Sequence, residues 1–217
     1  GYHLGNVFTE NDRLVVTGYA SQGEEGQNFM LARFLATTGA LDPTLDGDGI
    51  LLDDIADDES AALAMARQPD GRIVLAGYTK GAYEQALARL NPDGSPDSSF
   101  SGDGRVTFNL GTNIDFSTDV AVQPNQRIVV AGMAYLSNSY YATLARFLTD
   151  GSLDATFNGT GLLAVGQVTD DQYPSVAIQP DGRILLVAGY LDASNHQFIG
   201  VNRFQSNGQP DASFGTN

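Results

Sequence analysis

The chain has 217 residues, with 26 acidic against 11 basic side chains and a formal net charge of −15. It contains no cysteine and no tryptophan, which excludes disulfides, thiol nucleophiles and cysteine-based zinc sites. Eight of the eleven cations are arginines at two recurring positions, so no basic stripe is left for nucleic acid or an anionic membrane surface, and no apolar run approaches the ~20 residues of a spanning helix.

Near its start the chain carries TENDRLVVTGY (9–19), a worn copy of a phrase that returns as QPDGRIVLAGY (68–78), QPNQRIVVAGM (123–133) and QPDGRILLVAGY (179–190). LARF follows, with counterparts placing a second arginine at Arg33, Arg89, Arg146 and Arg203. Asp42, with Leu45 three residues on, is the first Asp-x-x-Phe mark, before Asp97–Phe100, Asp154–Phe157 and Asp211–Phe214. Gly-Asp-Gly closes the first two units at 47–49 and 102–104, relaxed to Gly-Thr-Gly at 159–161, and ILLDDI (50–55), RVTFNL (105–110) and LLAVGQ (162–167) come next. ADDESAALAMARQ (56–68) has a helical composition, but its counterparts STDVAVQ and YPSVAIQ are β-type, and the repeat register predicts a strand. The arginines of the first phrase (13, 72, 127, 183) step by 59, 55 and 56 residues, and the LAR arginines by 56, 57 and 57. Agreement among independent landmarks establishes the repeat.

Within a unit the apolar period is two, as in Val106, Phe108 and Leu110, and the strands are bounded by Asp-Gly at 70–71, 93–94, 150–151 and 181–182. Such dipeptides supply the positive φ of tight antiparallel hairpins. The expected fold is all-β: a β-propeller-type array of four ~56-residue, four-stranded repeats, part of a larger ring or assembly. A solenoid is the alternative. The array is one domain, 1–217, divided into repeat 1 (1–49, lacking its first strand), repeat 2 (50–104), repeat 3 (105–161) and repeat 4 (162–217). Three strands after Gly-x-Gly serve four repeats, so a fragment of a longer array, or a unit completed by a second chain, is expected.

DGSLDATFNGTG (150–161), DGSPDSSFSGDG (93–104) and the VAVQP/QPDGRIVLAG phrases resemble the bacterial delta-60 repeat. The resemblance spans nearly the whole chain. It implies propeller blades of long secreted or surface proteins, with no established activity and no catalytic residues to transfer. Leu45, Thr160 and Asn125-Gln126 depart from the pattern at single turns.

Four candidate sets of residues follow. Arg33–Asp42, Arg89–Asp97, Arg146–Asp154 and Arg203–Asp211 lie eight or nine residues apart across a turn, a spacing for a bidentate structural staple in every repeat. Asp46, Asp48, Asp93, Asp97 and Asp103 flank turn glycines and are candidate calcium ligands, although the series of a helix–loop–helix calcium loop is absent. The acidic run that includes Asp57 and Asp58, with Asp170 and Asp171 in the matching loop of the fourth unit, predicts a negative face for cations or a basic partner if these loops share one end. Tyr135, Asn138, Tyr140 and Tyr141 lie in a variable loop with the chemistry of a sugar or protein contact.

The only histidines are His3 and His196, and there is no G-x-S-x-G elbow or H-E-x-x-H helix. The expected function is therefore a non-catalytic, exported or cell-surface β-repeat scaffold of a bacterium, mediating protein–protein assembly or adhesion. Other protein chains or further copies of itself are the expected partners, carbohydrate is a candidate ligand and Ca2+ the one candidate cofactor. The alternative is a propeller-based glycosidase or metal-dependent hydrolase working through clustered carboxylates.

Overall fold

Each repeat phrase forms a hairpin, because alternating apolar residues meet a turn that needs a positive φ, which glycine adopts most readily. Gly71 and Gly182 have φ of 90° and 83° at that turn, and Gln126 takes the same place at 65°. A computed structural model describes residues 2–21, 27–53, 59–81, 83–111, 114–171 and 173–215, and these contain strands, turns and no helix. No helix is long and apolar enough to cross a membrane.

Four sheets follow one another. Blade 1 comprises β1 (Tyr2–Glu10), β2 (Arg13–Ser21), β3 (Gln27–Leu35) and β4 (Ile50–Asp53), paired in that order. Blade 2 comprises β5 (Ser60–Arg67), β6 (Ile73–Thr79), β7 (Gln85–Leu90) and β8 (Arg105–Phe108). Blade 3 is β9 (Asp115–Val122), β10 (Ile128–Leu136), β11 (Ser139–Phe147) and β12 (Leu162–Val168). Blade 4 has three strands, β13 (Ser175–Ile178), β14 (Ile184–Leu191) and β15 (Gln197–Phe204), and its only ladder pairing with blade 3 among the described residues is one bridge, Val168 to Tyr190, which joins the two blades into one continuous sheet. The segment 60–67 is a strand, as the repeat register requires.

Sequence repeat and structural blade are offset by one strand. The segments after Gly-x-Gly, which open repeats 2, 3 and 4, hydrogen-bond to the third strand of the preceding sheet: Ile50 pairs with Ala32, Arg105 with Ala88 and Leu162 with Ala145. Blade 1 is therefore four-stranded, and among the described residues blade 4 has no outer strand.

The blades stack face to face, and the core is divided among the three interfaces. Val15, Phe29 and Leu31 of blade 1 meet Met65, Ile73, Leu75 and Ala86 of blade 2. Val74, Ala76 and Leu87 meet Val120, Ile128 and Val130. Val129, Ala142 and Leu144 meet Val176, Ile184 and Leu186. The inner strands pack in sequence, β5 against β1, β9 against β5 and β13 against β9. They define an axis with two ends. At the turn end lie the Asp-Gly turns. At the loop end lie the entries to the inner strands and the variable hairpins, as the pairing of Ser60 with Thr79 shows for blade 2.

Candidate functional site

Each of the first three inner strands shifts register by one residue against its partner, at Gly5, Leu63 and Thr118. A bulge of this kind re-aims one residue out of the ladder. All three bulged residues line a cavity of about 440 Å3 on the axis at the loop end. Tyr19, Tyr78, Phe116, Met133, Asp170 and Tyr173 complete its wall, so every blade contributes.

The wall is aromatic and ordered. The Tyr78 ring stands edge-on to Phe116 at 4.7 Å, and Tyr83 does the same from another side at 6.2 Å. Burial, and then the neighbouring Tyr19, raise the Tyr78 hydroxyl above the usual tyrosine range; Lys80 pulls the other way, and Tyr173 and Tyr83 add lesser upward pushes. Tyr173 is exposed at the mouth, and β9 fixes its segment: Thr118 Oγ1 donates to the Pro174 carbonyl at 2.6 Å, and Asp119 Oδ2 accepts from Ser175 Oγ at 2.5 Å and Val176 N at 2.8 Å. Lys80 Nζ at this end is neutralised by Glu59 Oε2 at 2.6 Å.

The candidate recognition residues fall at the same end. Tyr135 and Tyr140 are cross-strand partners whose rings meet at 5.0 Å, above a turn with Ser137 and Asn138 at φ of 50° and 66°. Burial and then the Asp170 carboxylate raise the Tyr140 hydroxyl above the usual tyrosine range. Tyr141 is half-buried on β11, and Asp171 Oδ1 accepts from Thr169 Oγ1. Asp57 and Asp58 lie outside the described residues.

The recurring arginine and aspartate meet at the turn end. Arg89 Nε donates to Asp97 Oδ2 at 2.7 Å, Arg146 Nε to Asp154 at 2.9 Å and Arg203 Nε to Asp211 at 2.8 Å, while Arg33 stands 3.1 Å from Asp42. The arginine of the first phrase reaches the same carboxylate: Arg13 to Asp42, Arg72 to Asp97 at 2.8 Å, Arg127 to Asp154 at 3.1 Å and Arg183 to Asp211 at 3.2 Å. Reading the sequence by pairs missed this second partner, although two arginines recurring one-for-one with each aspartate signal a triad.

The arginine also reaches the next blade. Arg33 Nη1 donates to the Pro92 carbonyl and Arg89 Nη1 to that of Thr149, both at 2.6 Å, and Arg146 Nη1 to that of Ser206. Beside it the Asp46, Ser101 and Asn158 amides donate to the carbonyls of Asp93, Asp150 and Asn207 at 2.8–2.9 Å. Leu45, Phe100 and Phe157 fill the space over Gly94, Gly151 and Gly208, where an added methyl would stand 2.9, 2.9 and 2.6 Å from its nearest neighbour. Blade joins blade by one lock used three times.

The candidate calcium ligands belong to these turns. Asp48 Oδ1 accepts from Ile50 N, Asp93 Oδ1 from Ser95 N and Oγ, and Asp103 Oδ1 from Arg105 N, while Asp97 serves Ser99 and the arginines and Asp46 is exposed. Among the described residues no three of His, Asp and Glu converge as a metal site.

Four stacked antiparallel sheets about an axis with a funnel at one end define a β-propeller. Residues 68–100, 123–157 and 179–214 match the family model of a beta-propeller domain of unknown function, DUF5122. No curated protein matches the sequence. Among solved structures, a GH43 endo-arabinanase from Bacillus licheniformis is similar with a TM-score of 0.53 at 12% identity, over 94% of this chain and 74% of that one. CoXyl43, a GH43 β-xylosidase/α-arabinofuranosidase from a compost microbial metagenome, gives 0.52 at 9%, over 94% and 71%. Puromycin hydrolase gives 0.54 at 16%, over 95% of this chain and 31% of its own. At these identities the likeness is one of fold.

These neighbours correct the expectation of a non-catalytic scaffold for assembly or adhesion, and with it the reading that the chain is not an enzyme: propellers of this form include glycoside hydrolases. The argument from repetition failed for a physical reason. The arginine–aspartate triads and Asp-Gly turns that made the chain look purely architectural lie at the turn end, whereas the funnel at the other end combines one repeated position (Tyr19, Tyr78, Met133) with bulge and loop residues that differ between blades (Gly5, Leu63, Thr118, Asp170, Tyr173).

Proposed function

We propose that this propeller acts on carbohydrate, with the axial funnel as the sugar site and hydrolysis of a glycosidic bond as its chemistry. One observation carries the reading: Tyr19, Tyr78, Phe116 and Tyr173 converge with the Asp170 carboxylate on a single cavity of about 440 Å3. Aromatic faces take the C–H faces of sugar rings, a carboxylate accepts hydroxyl hydrogen bonds, and a pocket of this volume is of ligand-binding size. The fold's company among glycoside hydrolases supports the same reading. Hydrolysis uses two carboxyl groups about 5–10 Å apart, one giving a proton to the leaving oxygen while the other attacks the anomeric carbon or activates water. Asp170 is the carboxylate lining the funnel among the described residues and is assigned one of these two roles, the proposal requiring a second carboxyl group within that distance of it. Membership of the delta-60 repeat family and export from a bacterial cell belong to this proposal as its setting.

The test uses arabino- and xylo-oligosaccharides, following release of reducing ends and the quenching of tyrosine fluorescence, which no tryptophan obscures. Asp170→Asn is expected to abolish hydrolysis while binding persists. Tyr173→Ala is expected to weaken binding about tenfold, the loss of roughly 1.4 kcal/mol of stacking. Absence of binding and turnover at millimolar sugar, or wild-type turnover by Asp170→Asn, would overturn the proposal.

A further inference from the structure

We infer that the open face of blade 4 is the docking surface for one further repeat unit of the same design, a fifth blade that closes the wall of the funnel. Blade 4 presents every element of the lock that joins blades 1 to 2, 2 to 3 and 3 to 4, with no partner engaged on it. Arg203 is the counterpart of Arg146. It keeps its own carboxylate, Asp211, and Ser213, but its side chain is 20% exposed where that of Arg146 is 1%. Phe214 lies under the Arg203 guanidinium, 4.5 Å from ring centre to carbon, as Phe157 lies under Arg146 at 4.9 Å. Phe157 is fully buried beneath Gly208 of the next blade, and Phe214 is 38% exposed.

The sheet face agrees with the lock. Ile199 and Val201 occupy the register of Phe29 and Leu31 in blade 1 and of Ala142 and Leu144 in blade 3, residues that are buried against the next blade. In blade 4, Ile199 is 84% exposed, and Val201 and Val187 beside it are also exposed. A contiguous apolar face of this kind marks an interaction site. Among the described residues the outer edge of β15 is unpaired as well, where β3, β7 and β11 each carry the strand that opens the next repeat.

The occupant is set by continuity with the three interfaces already formed. It needs a turn whose carbonyls accept from the Arg203 guanidinium and the Gly215 amide, a turn glycine over Phe214, and an opening strand to pair with β15. The repeat phrase of this chain has all of these. Gly5 and Tyr19 of blade 1 line the same cavity as Asp170 and Tyr173 of blade 4, yet no strand of blade 4 packs along a strand of blade 1 among the described residues. The two end blades thus face one another across a gap on a shared axis.

The chain has no cysteine, which permits a direct test. Ile199→Cys is placed in the 217-residue chain and in a chain extended after Asn217 by a second copy of residues 161–217, and its reaction with a thiol reagent is timed. Ser98→Cys on an exposed turn and Ala142→Cys in the core give the fast and slow limits in each chain. The expected result is fast labelling in the 217-residue chain, at least a hundredfold slowing in the extended chain, and at least tenfold recovery when Phe214→Ala is added to the extended chain. Fast labelling in both would overturn the inference. Concentration-dependent protection of the 217-residue chain, with a doubled mass, would also overturn it by making a second copy the occupant.

Discussion

Asp154→Ala removes the carboxylate at the centre of the lock between blades 3 and 4. Asp154 accepts from Arg146 Nε at 2.9 Å, Thr156 N at 3.0 Å and Thr156 Oγ1 at 2.6 Å, and stands 3.1 Å from Arg127. Arg146 is buried, so the variant leaves a guanidinium without its counter-charge, a loss of about 3–5 kcal/mol for a buried pair. Thr156 Oγ1 and the Ser206 carbonyl still accept from Arg146, which places the cost near the lower end, about 3 kcal/mol. Asp211→Ala removes the same group from blade 4, where both arginines reach solvent, and about 1 kcal/mol is expected. At roughly 2–4 °C per kcal/mol for a chain of this size, the midpoints should fall by about 6–12 °C and 2–4 °C. Thermal unfolding followed by circular dichroism and tyrosine fluorescence reads both variants. Equal losses at the two positions would refute the reasoning, because burial of the partner arginine is the only difference on which the contrast rests.

The same carboxylates make the fold acid-sensitive. The Thr44 hydroxyl, opposed by burial and helped by the Thr44 amide, Arg13 and Arg33, holds Asp42 down at about 2 from its ordinary 3.8. A depressed carboxyl stabilises the fold above its unfolded pKa and loses that contribution as protons bind, so stability should fall between pH 4 and pH 2, and Asp42→Asn should lose its disadvantage at the lower end. Denaturation midpoints measured from pH 7 to pH 2 check this; a flat profile would contradict it. Gly132→Ala would place a methyl 2.2 Å from the Phe116 carbonyl oxygen, forcing β9 from β10 beneath a funnel wall. It should cost about 1–3 kcal/mol and weaken sugar binding together, read by unfolding and by fluorescence titration.

Much of the fold is legible in the sequence because it depends on local chemistry. Asp-Gly and Asn-Gln fix the hairpin turns, alternation fixes the faces, and the register identifies 60–67 as a strand despite its helical composition. Ownership of the strands after Gly-x-Gly is not legible, since alternation says that Leu51 is buried but not against which sheet. The lock is hidden for a similar reason. Its partners, Arg89 and Thr149 for example, stand 60 residues apart and include a backbone carbonyl that has no residue signature. The funnel was missed because Tyr19 and Tyr78 close the repeated phrase and read as core, while bulges at Gly5, Leu63 and Thr118 follow from long-range pairing. That Tyr19, Tyr78 and Met133 share a repeat position was the signal available. The variable hairpin with Tyr135 and Tyr140, and Asp170, were visible as loop residues, but their convergence on one end needed the sheet registers.

The one-strand offset between repeat and blade makes the unit of duplication different from the unit of folding. Adding or deleting a whole repeat adds or removes three strands of one sheet together with the finishing strand of its neighbour. Every internal sheet therefore stays four-stranded whatever the copy number, and the exposed edge is carried to the terminus instead of being left inside. Copy number can then change without passing through a form that has a raw edge in its middle.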